Sequence, residues 1–136
     1  MNTSTAALRA LVREGEIHSS VYSEPEIFQL EMDRLFHSRW LFLGHTSQLD
    51  KAGAFITGRI GSMPVACVKG KDGDIKTFIN RCPHRGAQVC QGSAGYAPVL
   101  VCPYHGWSFE LDGKRRWIPL REDYAGAACD RLGDPE

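Results

Sequence analysis

The sequence predicts a mainly β protein, an antiparallel β domain preceded by a helical segment. Short β-branched and aromatic runs recur after Trp40, separated by glycine-bearing turns. Lys71-Asp72-Gly73 and Asp112-Gly113 are hairpin-turn signals between such runs. Ahead of them, Ser23-Glu24-Pro25-Glu26 carries the marks of a helix start. These features divide the chain into a helical segment at 1–38, a β domain at 39–121 and a Gly/Ala/Asp-rich linker at 122–136.

The elements follow in order. Residues 6–14 alternate Ala and Leu with charge and read as a short helix. Ser23 is placed to cap the next helix, Glu26 to complete a capping box, and Pro25 to sit in the first turn, where an N–H is dispensable. A helix from 24 to 37 brings Ile27, Phe28, Leu35 and Phe36 toward one face, to pack within the chain or against a neighbouring domain. Strands are expected at 40–44, 54–60, 63–69, 74–80, 98–101, 107–111 and 114–118.

Two loops carry the chemistry. Cys82-Pro83-His84-Arg85-Gly86 and Cys102-Pro103-Tyr104-His105-Gly106-Trp107 each pair one thiol with one imidazole on a Pro/Gly-punctuated turn. Residues 85–101 between the ligand pairs suffice for a strand out and a strand back, putting the loops at the tips of adjacent hairpins. Gly86 and Gly106 suit positions of positive φ or close backbone approach, and Pro83 and Pro103 stiffen the turns. Two sulfurs and two nitrogens suit a [2Fe–2S] cluster with Cys82 and Cys102 on one iron and His84 and His105 on the other, the ligand set of a Rieske centre. Neutral imidazoles make such a cluster less negative than a four-Cys one and raise its potential, to between about −150 and +300 mV. A structural zinc module is the alternative, since two Cys and two His also satisfy Zn²⁺; zinc knuckles, however, usually pair like with like, and here each is mixed.

The chain resembles the Rieske domain of the α subunit of aromatic-ring-hydroxylating oxygenases. The resemblance runs through Phe36-His37-Ser38-Arg39-Trp40-Leu41-Phe42-Leu43-Gly44-His45, then Phe78-Ile79-Asn80-Arg81 and the ligand loops, to Ile118-Pro119-Leu120. It implies a Rieske-type β domain, shared with the respiratory iron–sulfur proteins. Those relatives have a loop-bridging disulfide where this chain has Ala87 and Tyr104, and a Ser where it has Trp107, so the lower-potential, oxygenase-like type is implied. The resemblance further implies an electron-transfer role, from a ferredoxin or reductase to a mononuclear Fe(II) that dihydroxylates aromatic rings. That iron is expected in a catalytic domain outside this chain, because His18, His37 and His45 form no triad with a carboxylate. Homo- or hetero-oligomers of the full oxygenase are implied as well.

Supporting roles are expected for Arg85, bonding a backbone carbonyl or meeting an acidic donor, and for Tyr104 and Trp107, shielding the cluster. Lys114-Arg115-Arg116 reads as the solvated end of a hairpin in preference to a docking patch. Lys+Arg and Asp+Glu both number 16, so no basic field favours nucleic acid, and no apolar stretch is long enough for a bilayer. Cys67 reads as a buried thiol, and Cys90 and Cys129 have no evident partner. Unpaired thiols with a labile cluster suit a reducing cytoplasm, and the start lacks the pattern of a signal peptide. A free-standing Rieske ferredoxin is the other electron-transfer alternative; the helical segment before Arg39 argues against it.

Reduction adds negative charge beside the iron-bound rings and raises their basicity. Electron uptake is therefore expected to couple to proton uptake at alkaline pH. The check is the midpoint potential against pH; a flat line between about pH 6 and 11 would rule out ring ionisation there.

Overall fold

In a computed structural model the described residues are 4–120, 122 and 131–133. They fall into two compact units, divided between Leu41 and Phe42.

The first unit is helical, with one small hairpin. Helix α1 spans Thr5–Ala10, and the Ser4 hydroxyl caps it by accepting from the Ala7 N–H at 3.3 Å. The chain then turns at Gly15 (φ +75°), pairing β1 (Val12–Arg13) with β2 (Glu16–Ile17). That hairpin replaces the end of the expected 6–14 helix. After α2 (Ser20–Ser23) comes α3 (Pro25–Glu31), continued by one π-helical turn at Met32–Phe36. The expected capping box does not form. Glu24 is the N-cap, without a side-chain bond, because Ser23 still belongs to α2 and its hydroxyl donates to the Ser19 carbonyl. The apolar face also differs: Ile27 and Met32 are buried, whereas Phe28 and Leu35 are exposed. The π-helical turn at 32–36 breaks the 3.6-residue spacing that would align Leu35 with Ile27.

The second unit holds two antiparallel sheets. One contains β3 (Ala54–Ile60), β4 (Met63–Lys69), β5 (Ile75–Ile79) and β6 (Ala94–Tyr96), in the order β5-β4-β3-β6. The other contains β7 (Leu100–Val101), β8 (Ser108–Phe109) and β9 (Arg115–Trp117), in that order. Both turn signals hold: 71–73 joins β4 to β5, and Asp112-Gly113 joins β8 to β9. In each turn an Asp side chain accepts the N–H two residues on, Asp74 to Asp72 and Lys114 to Asp112, both at 3.0 Å. Residues 40–44 form no strand, and β6 was not expected.

Register explains which residues fill the core. Phe55 pairs with Val68 and Thr57 with Ala66, so Phe55, Ala66 and Val68 share one face and join the main core with Leu100, Trp107, Phe109 and Ile118. Ile56 pairs with Cys67 on the opposite face, which packs with Leu49 and Ala54. Both faces are covered along β4 and over Ala54–Ile56 of β3, so these stretches read as apolar runs and not as alternations. Gly95, opposite Phe55, makes room for its ring; a Cβ there would lie 2.5 Å from Phe55 Cζ.

Most of the expected linker, Cys129 included, lies outside the described residues. Arg131–Gly133 belong to the β unit: the Leu132 N–H donates to the Gly113 carbonyl (2.7 Å), and its side chain is core. The Gly133 N–H donates to the Arg81 carbonyl at 3.1 Å, one residue before Cys82. Among the described residues no helix is long and apolar enough to cross a membrane.

Gly133 sits at φ +84°, where a Cβ would come within 2.9 Å of the Ile79 carbonyl oxygen. Gly133→Ala is expected to lower stability by about 1–2 kcal/mol from the left-handed backbone alone, with more from the clash. Urea unfolding of the two proteins checks this.

Candidate metal centre

The two Cys/His loops fold into the same backbone turn. In the first, the Cys82 N–H donates to the Ala87 carbonyl (2.8 Å) and the Gly86 N–H to the Cys82 carbonyl (2.8 Å). In the second, the Cys102 N–H donates to the Trp107 carbonyl (2.8 Å) and the Gly106 N–H to the Cys102 carbonyl (3.0 Å). The glycines fall at matching positions, with φ of +71° and +73°. Their requirement is conformational: a Cβ would meet nothing within 4 Å at Gly86 and only Pro119 Cγ, at 3.5 Å, at Gly106.

The frames around these turns differ. The second loop is a hairpin tip between paired β7 and β8, as expected. The first is not. It lies in the connection from β5 to β6, which occupy opposite edges of their sheet and cannot pair with each other. Asn80, 1% exposed, binds across the foot of this connection. Its Oδ1 accepts from the N–H groups of Val89 (3.0 Å) and Cys90 (2.9 Å), and its Nδ2 donates to the Cys90 carbonyl (2.8 Å). The sequence carried a signal for this, a lone Asn closing a strand just before Cys-x-His.

The four donor side chains come together in two tiers. Cys82 and Cys102 are each 2% exposed, and their thiols are neighbours. The imidazoles are half-buried, with ring centroids 4.5 Å apart and planes inclined by 65°. Trp107, fully buried, stacks parallel to His84 across the two loops (5.1 Å, 2°). Tyr104 covers His105 (3.8 Å, 32°) while remaining largely exposed. The shielding expected of both aromatics is thus directed at the imidazoles. Arg85 is exposed, and its side chain bonds no carbonyl among the described residues.

The electrostatics call for positive charge. Burial pushes the Cys82 thiol up to about 11, helped by the adjacent Cys102, while the backbone N–H groups of His84 and Arg85 work in the opposite direction. Bound cations reverse this balance and hold thiolates. The buried Nδ1 of His105 has no hydrogen-bond partner among the described residues, as an imidazole nitrogen reserved for a metal would not. Among those residues no three His, Cys, Asp or Glu side chains are grouped to hold a single ion. A [2Fe–2S] cluster takes two protein ligands at each iron, which matches a tier of two thiols and a tier of two imidazoles.

The remaining candidates are structural. Cys67 Sγ bonds the Thr77 hydroxyl at 3.2 Å, and the described cysteines, Cys67, Cys82, Cys90 and Cys102, are free thiols. His18 and His45 bond Ser20 and Ser47 at local turns. In the basic run, Lys114 pairs with Asp112 (3.2 Å) and Arg116 with Glu110 (3.5 Å), which suits a solvated hairpin.

The sequence model for the Rieske [2Fe-2S] domain matches residues 39–126. The chain is 36% identical over 132 residues to the biphenyl dioxygenase subunit alpha of Metapseudomonas furukawaii, covering 96% of this chain and 28% of that one. The structure resembles naphthalene 1,2-dioxygenase from a Rhodococcus species, with a TM-score of 0.79, 27% identity, and coverage of 93% of this chain and 29% of that one. It also resembles a quaternary ammonium Rieske monooxygenase, described with carnitine oxidation and inter-subunit electron transfer (TM-score 0.73, 29% identity, 84% and 31% coverage). The chain therefore spans less than a third of the length of these relatives.

Burial raises the Cys90 thiol from 9.0 to about 11. The folded state thus holds this proton more tightly than the unfolded chain does. The resulting stabilisation is complete below about pH 9 and is lost as pH rises toward about 11. Cluster-free protein is expected to weaken over that window, and Cys90→Ala to flatten the fall; denaturant midpoints against pH check both.

Proposed function

This chain belongs to the Rieske [2Fe–2S] domain family, and from that premise we propose that Cys82 and Cys102 hold one iron of the cluster and His84 and His105 the other. The single observation that carries the assignment is the pairing of two buried, adjacent thiols with two half-buried, adjacent imidazoles on matching turns. When bound, the cluster supplies a site that accepts and releases one electron. The chain's own residues set how it does so. The cysteines face the core and exclude water from the sulfur side. The imidazoles form the outer tier, so the path in and out runs past His84 and His105. Trp107 fixes the plane of the His84 ring from behind, and Tyr104 covers His105 from the solvent side.

The domain acts as the electron-transfer part of an oxygenase α subunit. It receives electrons from a ferredoxin or reductase and passes them to a mononuclear iron in a catalytic domain, in an oligomeric enzyme of the cytoplasm. Residues 39–121 form the body of the cluster domain, preceded by 1–38, and Arg131–Gly133 pack back onto it. An aromatic substrate is the reading suggested by the biphenyl and benzene dioxygenase relatives, each 36% identical to this chain. The carnitine-oxidising neighbour shares the same fold, so substrate choice belongs to the catalytic domain.

Reconstitution with iron and sulfide tests the ligand set. The wild type is expected to hold acid-labile sulfide and, once reduced, to give an EPR signal of low average g. His84→Ala with His105→Ala is expected to lose both, whereas Cys67→Ala keeps them. A colourless protein containing only zinc, or full iron retention in the double-His variant, refutes the assignment.

A further inference from the structure

We propose that Asn80 is a positioning residue for the cluster, setting the placement of Cys82 and His84 through a side-chain clamp that stands in for a strand pair. The proposal rests on the reading of those two residues as ligands. The two loops share one internal turn, so what differs between them is the support at their feet. At the second loop, β7 and β8 pair Leu100 with Phe109 and Val101 with Ser108 on either side of the ligands. At the first, no ladder can form, because β5 and β6 lie at opposite edges of the sheet.

The Asn80 amide does the equivalent work with one side chain. It accepts from the N–H groups of Val89 and Cys90 and donates to the Cys90 carbonyl, closing residues 80–90 into a ring that contains both ligands. Its own backbone is fixed, since the Asn80 N–H donates to the Pro64 carbonyl at 2.9 Å beside the Val65–Ile79 pair. Sheet, clamp and ligand turn therefore form one rigid series. Val89 and Cys90 are buried at 6% and 3%, and their clamped groups have no other partner among the described residues. Removing the amide strands buried donors and an acceptor, so the segment must shift to reach water. Such a shift acts on the first loop and spares the second.

The test compares reconstituted wild type with Asn80→Ala, Asn80→Asp and Thr57→Val. Thr57 is the control, because its hydroxyl donates to the Gly92 carbonyl (2.6 Å) on the same connection but outside the clamped ring. The readouts are the rate of bleaching by an iron chelator and the two histidine nitrogen couplings of the reduced cluster. Asn80→Ala is expected to bleach about tenfold faster or more, as for loss of a partner behind a metal ligand. One nitrogen coupling, that of His84, is expected to change while the other keeps its wild-type value. Asn80→Asp retains the acceptor for both N–H groups and is expected to fall between the two. Thr57→Val is expected to lose thermal stability yet keep wild-type bleaching and couplings. Wild-type behaviour of Asn80→Ala, equal change at both histidines, or an equal effect of Thr57→Val overturns the proposal. If Asn80→Ala does not fold, Asn80→Asp decides, and wild-type bleaching and couplings there overturn it. A wild type that takes up no sulfide overturns the ligand assignment and this proposal together; a loaded wild type with an indifferent Asn80→Ala overturns this proposal alone.

Discussion

Two thiols buried side by side are the constraint around which this domain is arranged. Cys82 and Cys102 sit at 2% exposure within the main core, among Phe55, Val68, Leu100 and Trp107. Ionising Cys82 there without a cation is unfavourable, since burial raises its thiol. The fold must nevertheless keep the pair in place, or a metal would meet a collapsed site. It does so by closing each loop with backbone bonds that involve no metal, Cys82 to Ala87 and Cys102 to Trp107. These bonds fix the backbone of each loop independently of the side chains that point into the site.

The two loops reach this end by different routes. The second loop is local: strand, turn and strand occupy consecutive residues, so its closure costs little chain entropy. The first closes across a connection between sheet edges, and a single buried amide holds it. Arg131–Gly133 add a tie on the same side, through Gly133 to the Arg81 carbonyl. The family match ends at residue 126, before this tie. The packed unit thus includes residues beyond the stretch that the family model matches.

Much of this was legible in the sequence, and the gaps have physical causes. The hairpins at 71–73 and 112–113 were readable because Asp and Gly specify their turns locally. The Cys/His loops were readable because ligand type and spacing are local too. Strand β6 was not, since Ala94-Gly95-Tyr96 has little strand propensity and Gly95 is there to admit the Phe55 ring, a contact distant in sequence. The Ser23 cap failed through competition: a preceding helical turn had already used the hydroxyl. The hairpin-tip placement of the first loop failed because sheet order, which a run of strands does not encode, put β5 and β6 apart.

The division between buried sulfurs and half-exposed imidazoles carries a directional consequence. An electron moving between proteins crosses where donor and acceptor edges approach most closely, and here the outer tier is nitrogen. His84 is held between a neighbouring imidazole and the parallel face of Trp107, which the opposite loop supplies. The second loop therefore braces the outer imidazole of the first through Trp107, and covers its own His105 with Tyr104. A ring contacted on both sides has little freedom to reorient.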